Sequence, residues 1–170
     1  MNWEAIGAIG EIVGAIAVIA TLIYIATQVK DSARAARSAA VTDAATAMQA
    51  FYQELGSNRQ ISELWLEAMT SPEAMSREDE FQFVMMTHSA FLGFQTAFFL
   101  AQEGTLDIGF RESIGTAITA VKDLPGMERV WRQRKAFFQE EFVEWVEELM
   151  ARESIETLDV YRGHEGPLDG

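Results

Sequence analysis

Eighteen consecutive residues without a formal charge, Ile12 to Val29 (IVGAIAVIATLIYIATQV), constrain this chain more than anything else in it. Extended back to Ala5, the stretch covers 25 residues with Glu11 as its single interruption. A helix rises about 1.5 Å per residue, so either version covers the ~30 Å hydrocarbon thickness of a bilayer. Trp3 and Tyr24 fall near its two ends, where amphipathic aromatics favour the headgroup layer. Residues 1–29 are therefore expected to form a transmembrane helix. A secretory signal peptide competes with this reading, but it needs a basic leading segment and a shorter apolar core. Here Glu4 is the only charged side chain ahead of the run. A buried helix of a soluble protein is the other alternative.

Orientation rests on three basic residues. Lys30, Arg34 and Arg37 lie just beyond the apolar run, and no Lys or Arg precedes it. The positive-inside rule then puts the N-terminus outside and everything after Lys30 in the cytoplasm. The three recur at i, i+4 and i+7, on one face of a continuing helix, where they serve as headgroup anchors or as plain topology signals.

The remainder reads as all-α. Asp31 to Leu55 is Ala-rich, with Val41, Met48, Phe51, Tyr52 and Leu55 at helical spacing, and continues the membrane helix as a stalk. Gly56-Ser57-Asn58 ends it. A short helix follows, carrying Ile61, Leu64, Trp65, Ala68 and Met69 on one stripe. Ser76 has the character of an N-cap, with Glu78, Asp79 and Glu80 in the first turn behind it. The helix it opens runs to about Gln102. Its body from Phe81 onward is uncharged, so a second span is conceivable, but Gln82, His88, Gln95 and Gln102 would make it costly and no basic flank marks it. A central core helix is the better reading.

Glu103 to Asp107 is a turn, and a helix carrying Phe110, Ile114 and Ile118 comes next, stopped by Leu124-Pro125-Gly126. One last helix is expected from Met127 to Arg152, basic early (Arg129 to Lys135) and acidic late (Glu140 to Glu148). That order opposes the helix dipole and calls for pairing with other elements. The expected organisation is a span over 1–29, a cytosolic bundle of about four to five helices over 30–153, and a tail over 154–170.

The opening WEAIGAIGEIVGAIAVIATLIYIATQVK, the EGTLD turn and LPGMERVW before a Phe-rich helix resemble a family of bacterial proteins with no known activity. Its members share a first helix reading GAI-x-E-I-x-GAIAV-x-ATL-x-Y ahead of a helical domain. The resemblance covers about residues 3–150. It implies a single-pass protein of the bacterial inner (cytoplasmic) membrane and transfers no site residues.

Chemistry is sparse. The net charge of −13 disfavours nucleic acid and anionic headgroups as partners. Zero cysteines exclude a disulfide framework and any Cys-based metal or redox site. There is no Glu-x-x-His pair for a di-iron bundle. Gly7 to Gly14 is no phosphate loop, since no strand–helix unit surrounds it. The glutamates between Glu140 and Glu148 form a charge run of the kind usually solvated, and neither catalysis nor a cofactor is expected. His88, in the middle of the core helix, could titrate near neutrality, although such a residue is more often hydrogen-bonded in a core.

The sharpest candidate is Glu11. If the span begins at Ala5, its carboxylate lies roughly 9 Å into the hydrocarbon, where an acid is costly unless it faces a partner, water or a bundle interior. If the span begins at Ile12, Glu11 sits in the headgroup layer. Glu4, Gly7, Glu11, Gly14, Val18, Thr21, Ile25 and Gln28 recur at alternating spacings of three and four, and Gly10 pairs with Gly14. Small and polar residues along one seam are what associating membrane helices use. Two functions follow as expectations. One is a membrane-anchored, homo-oligomerising scaffold or accessory subunit whose bundle docks an unknown protein partner. The alternative is a homo-oligomeric cation channel lined by the first helix, since acidic rings select cations.

Overall fold

The computed structural model describes residues 3–153 and Tyr161, with the helical backbone alone at Glu4, Ala5 and Ile6. Among these there are six α-helices, one turn of 3-10 helix and no strand. The chain divides into two compact units, Met1–Ala40 and Val41–Gly170. The boundary falls within α1 (Trp3–Ser57), which continues through the expected stalk and ends where Gly56-Ser57-Asn58 predicts.

The first unit is helix alone, and every residue from Gly7 to Ala39 is exposed. The second unit gathers the end of α1 with α2 (Arg59–Thr70), α3 (Arg77–Gln102), α4 (Ile108–Val121), α5 (Pro125–Arg134) and α6 (Glu140–Met150). The starts of α2, α3 and α4 are set by side chains that take up otherwise unpaired N–H groups. Asn58 accepts from the Ile61 N–H at 3.4 Å, Ser76 Oγ from the Asp79 N–H at 3.1 Å, and Asp107 Oδ1 from the Gly109 N–H at 2.8 Å. At the end of α3 the chain reverses through Gly104 at φ 71°, the left-handed conformation that glycine adopts without steric cost. The Thr105 N–H then bonds the Leu100 carbonyl and the Gly104 N–H the Ala101 carbonyl, which is the Schellman pattern.

The expected last helix is two helices. α5 ends at Arg134, one 3-10 turn covers Lys135–Phe137, and α6 begins at Glu140. The break resolves the charge order. Glu128 now lies in the first turn of α5 and Arg132 and Arg134 in its last, while Glu140 and Glu141 open α6. α5 is thus charged in the sense its dipole favours, and so is the first turn of α6, while Glu147 and Glu148 remain near the end of α6. The Gln139 N–H at the new start donates to Gln95 Oε1 on α3 at 2.8 Å, so a polar residue of the core helix holds the entry to α6.

α3 packs against α2, α4 and α5, and α6 lies on α4. It buries Phe83, Val84, Phe91, Ala97 and Phe98, while Phe81 and Leu92 remain on the surface. The core is aromatic where α3, α5 and α6 meet. Phe142 is wholly buried, with Phe98 at 5.7 Å and Trp145 at 5.7 Å between ring centroids, and Trp131 stacks on Phe138 at 5.9 Å. Two close approaches hold the frame. A Cβ on Gly126 would lie 2.0 Å from the Ala68 carbonyl oxygen, so α5 starts in direct backbone contact with the end of α2. Arg129 pairs with Glu80 and donates to the Pro72 carbonyl at 3.3 Å, tying α5 to the connection between α2 and α3.

Candidate functional site

The first helix carries the residues singled out from sequence. Between Ile9 and Val29 eleven large apolar side chains, from Ile9 and Ile12 through Leu22 and Tyr24 to Val29, are each at least 49% exposed. At 100° per residue they cover most directions around the axis, and the sector of about 100° that they leave holds Gly10, Gly14, Ala17, Thr21 and Gln28. A helix of this length and composition is able to cross a membrane, and a signal sequence meets the same test. α3 also meets it by composition, but a third of its apolar window is buried.

The seam holds its expected geometry. Gly7, Glu11, Gly14, Val18, Thr21, Ile25 and Gln28 lie on one stripe of α1 and are all exposed; the Glu4 side chain lies outside the described residues. A repeat of three and four averages 3.5 residues, so on a straight helix the stripe slips by about 20° per heptad. Apart from the chain neighbours and the helix's own nearby backbone, no described residue comes within 4 Å of a Cβ built at Gly7, Gly10 or Gly14. Polar groups on the stripe are partly closed onto their own helix. Thr21 Oγ1 donates to the Ala17 carbonyl at 2.8 Å, and Gln28 Nε2 donates to the Tyr24 hydroxyl at 2.8 Å. The Gln28–Tyr24 pair forms a polar collar just ahead of Lys30. From Trp3 to Tyr24 the helix rises about 32 Å, close to one hydrocarbon thickness. Trp3, Lys30, Arg34 and Arg37 are exposed, and none of these three basic residues forms an ion pair with another described residue.

The second unit offers less chemistry. No group of three or more His, Asp and Glu side chains gathers among the described residues. The glutamates of α6 are all exposed, and the Glu147 carboxylate meets Lys135 at 2.6 Å on that surface. His88 is partly buried against Phe138 at 4.9 Å and Phe137 at 5.9 Å. Desolvation, and then the nearby Arg134 guanidinium, lower its pKa. Its Nδ1 has no hydrogen-bond partner among the described residues, unlike the satisfied core histidine expected from sequence.

Sequence reasoning passed over the junction where α1 ends. Phe51 meets Trp65 edge to face at 5.5 Å, and Trp65 meets Phe83 at 5.3 Å. Beside them is an apolar cavity of about 80 Å³, lined by Phe51, Tyr52, Leu55, Trp65, Met69 and Tyr161 among others. A second pocket, of about 150 Å³, lies between Ala44, Met48 and Phe51 of α1 and Ser89, Gly93 and Phe110. The sequence signal was the pair Phe51-Tyr52 at the end of an Ala-rich helix, but nothing local says what such rings face. Compared with protein families, with curated proteins and with solved structures, the chain gives no match in any of the three.

Proposed function

We propose that the protein is a membrane-anchored, self-associating helical scaffold or accessory subunit. In this reading α1 spans the bilayer with its N-terminus outside, and the unit beginning at Val41 works on the cytoplasmic side. One observation carries it. The most apolar stretch of the chain is uncovered on all sides, whereas the second unit closes its own aromatic core. Contiguous apolar patches on soluble monomers stay within a few hundred Å² (roughly 300–600). A groove-binding helix would be apolar on one face only, and a helix with large apolar residues around most of its circumference fits lipid. The three cations after Val29 support the orientation, and the open glycine seam supports association between copies. The likeness to the bacterial family, carried by the first-helix motif, brings topology with it and no activity.

The test is the oligomeric state of the chain extracted into native lipid nanodiscs, read by native mass spectrometry for wild type, Glu11→Gln and Gly14→Leu. The expected result is an intact chain retaining residues 1–29, as a defined oligomer that Gly14→Leu dissociates. Recovery of a chain cleaved near residue 30 would identify the segment as a signal sequence and end the anchor reading. A monomer indifferent to Gly14→Leu would end the association. A closed ring with the seam facing its axis would instead favour the cation channel, in which Glu11→Gln abolishes flux. Because the chain has no cysteine, single-cysteine variants at Asn2 and Ser57 report sidedness. Labelling by an impermeant maleimide in spheroplasts is expected at position 2 only.

A further inference from the structure

The two pockets against the end of α1, of about 150 and about 80 Å³, adjoin. Phe51 of α1 and Ala90 and Phe94 of α3 belong to the walls of both. The larger is framed by small residues on both helices, Ala44 and Ala47 on one side and Ala90, Gly93 and Ala97 on the other. Protein interiors are close-packed, with few voids larger than a water molecule, so adjoining spaces of this size call for an explanation. Depth increases from one pocket to the next. Ala47, Ser89 and Gly93 of the larger are exposed, whereas Thr87, Phe91, Ile118 and Met127 of the smaller are buried. Polar groups are few. Among the described residues, no Asp, Glu, Lys, Arg or His lines either pocket, and Ser89 is the one polar side chain on the larger. On the smaller, Thr87 Oγ1 already donates to the Phe83 carbonyl at 2.9 Å, and Trp65 Nε1 to the Tyr161 hydroxyl at 3.2 Å across 96 positions of sequence. A charged ligand would lose its hydration there without replacement, which costs free energy.

We propose that the two pockets form one binding site for a linear alkyl chain with an uncharged polar head, the chain running inward past Phe51 and Phe94 and the head staying at the rim beside Ser89. An apolar cavity of about 150 Å³ takes up a molecule the size of benzene, so the adjoining pair has room for a longer one. A flexible chain passes from one pocket to the next, where a rigid ring system of the same volume stops at the Phe51 and Phe94 rings. Apolar walls supply the affinity, and the single polar group at the rim sets the direction of entry. Every residue in the site belongs to the unit Val41–Gly170, so the proposal stands apart from the membrane reading.

Photolabelling of the full chain in lipid nanodiscs tests it, with a diazirine-bearing octanol as the probe and peptide mass spectrometry as the readout. Labelling is expected at residues 44–51 and 89–97, above the level on α6, and an excess of unlabelled octanol is expected to compete it away. Gly93→Leu fills the larger pocket. Apart from the chain neighbours and the helix's own nearby backbone, no described residue comes within 4 Å of a Cβ built at Gly93, and leucine forms helix better than glycine. The variant is therefore expected to melt at or above the wild-type temperature. Its labelling in both segments is expected to fall about tenfold, because added side-chain volume and the ligand compete for one space. Ala47→Leu, which narrows the same pocket from α1, is expected to act alike and decides alone should the first variant unfold. Labelling in the two segments no greater than on α6, or unchanged by excess octanol, would overturn the site. So would labelling that neither variant lowers.

Discussion

The smallest residue in the second unit sets one of its strictest limits. Gly126 meets the Ala68 carbonyl and the Met69 backbone with no room for a methyl group, and backbone cannot swing aside as a flexible side chain can. Gly126→Ala is expected to destabilise the unit by about 3 kcal/mol, the upper end of overpacking penalties, measured as a shift in urea midpoint. His88 carries a different liability. Its lowered pKa means that the folded state holds the imidazole neutral while the unfolded chain takes up a proton near pH 6.5. Stability linked to His88 is therefore complete above about pH 6.5 and falls as the pH drops below it. Melting temperature recorded from pH 7.5 to 5 should decline more steeply in wild type than in His88→Phe. A His88→Phe profile parallel to wild type would show that the carboxylates alone set the slope. Sequence marked His88 as able to titrate near neutrality, with a hydrogen-bonded core role as the commoner expectation, and gave no such sign for Gly126. Gly126 read as helix punctuation, and what it touches lies almost sixty positions earlier.

At the scale of the element, sequence and structure agree where local chemistry decides. The cap at Ser76, the end of α1 near Asn58 and the turn at Glu103 to Asp107 all depend on residues that bond within a few positions of themselves. The break between α5 and α6 was the exception. Periodicity of Trp131, Phe138, Phe142 and Trp145 ran through it as though through one helix, because the 3-10 turn keeps the apolar side facing the core. The charge order already held the information, since basic-then-acidic is unfavourable in one helix and favourable in two. Gln95 secures the second start from α3. Gln95→Leu is expected to cost about 1 kcal/mol, the net worth of one hydrogen bond, and to raise amide exchange at Gln139 and the first turn of α6 without affecting α2. If exchange at α6 stays at wild-type rates, the break is fixed by the charges and the aromatic packing instead.

For the whole molecule, composition outlined an all-helical chain, and the length of the apolar run pointed to an exposed α1. Two things were not legible. The division at Ala40 and Val41 falls in a featureless Ala-rich stretch, where the small side chains look alike on either side of it. The return of Tyr161 to Trp65 spans 96 positions and obeys no period. A chain beginning at Asp31 is expected to leave the membrane fraction and appear in the supernatant after carbonate extraction, where the full chain stays in the pellet. Finally, the uncovered cylinder has a consequence for biosynthesis. Val29 precedes Met150, the last residue of α6, by 121 positions, and ribosomes add roughly 5–20 residues per second. The apolar helix thus leaves the ribosome roughly 6–24 s before the last helix of the core exists. On the proposed membrane reading, the insertion machinery would receive it during that interval, before the core is complete. On the same reading, the Phe142 core would close on a nascent chain already tethered.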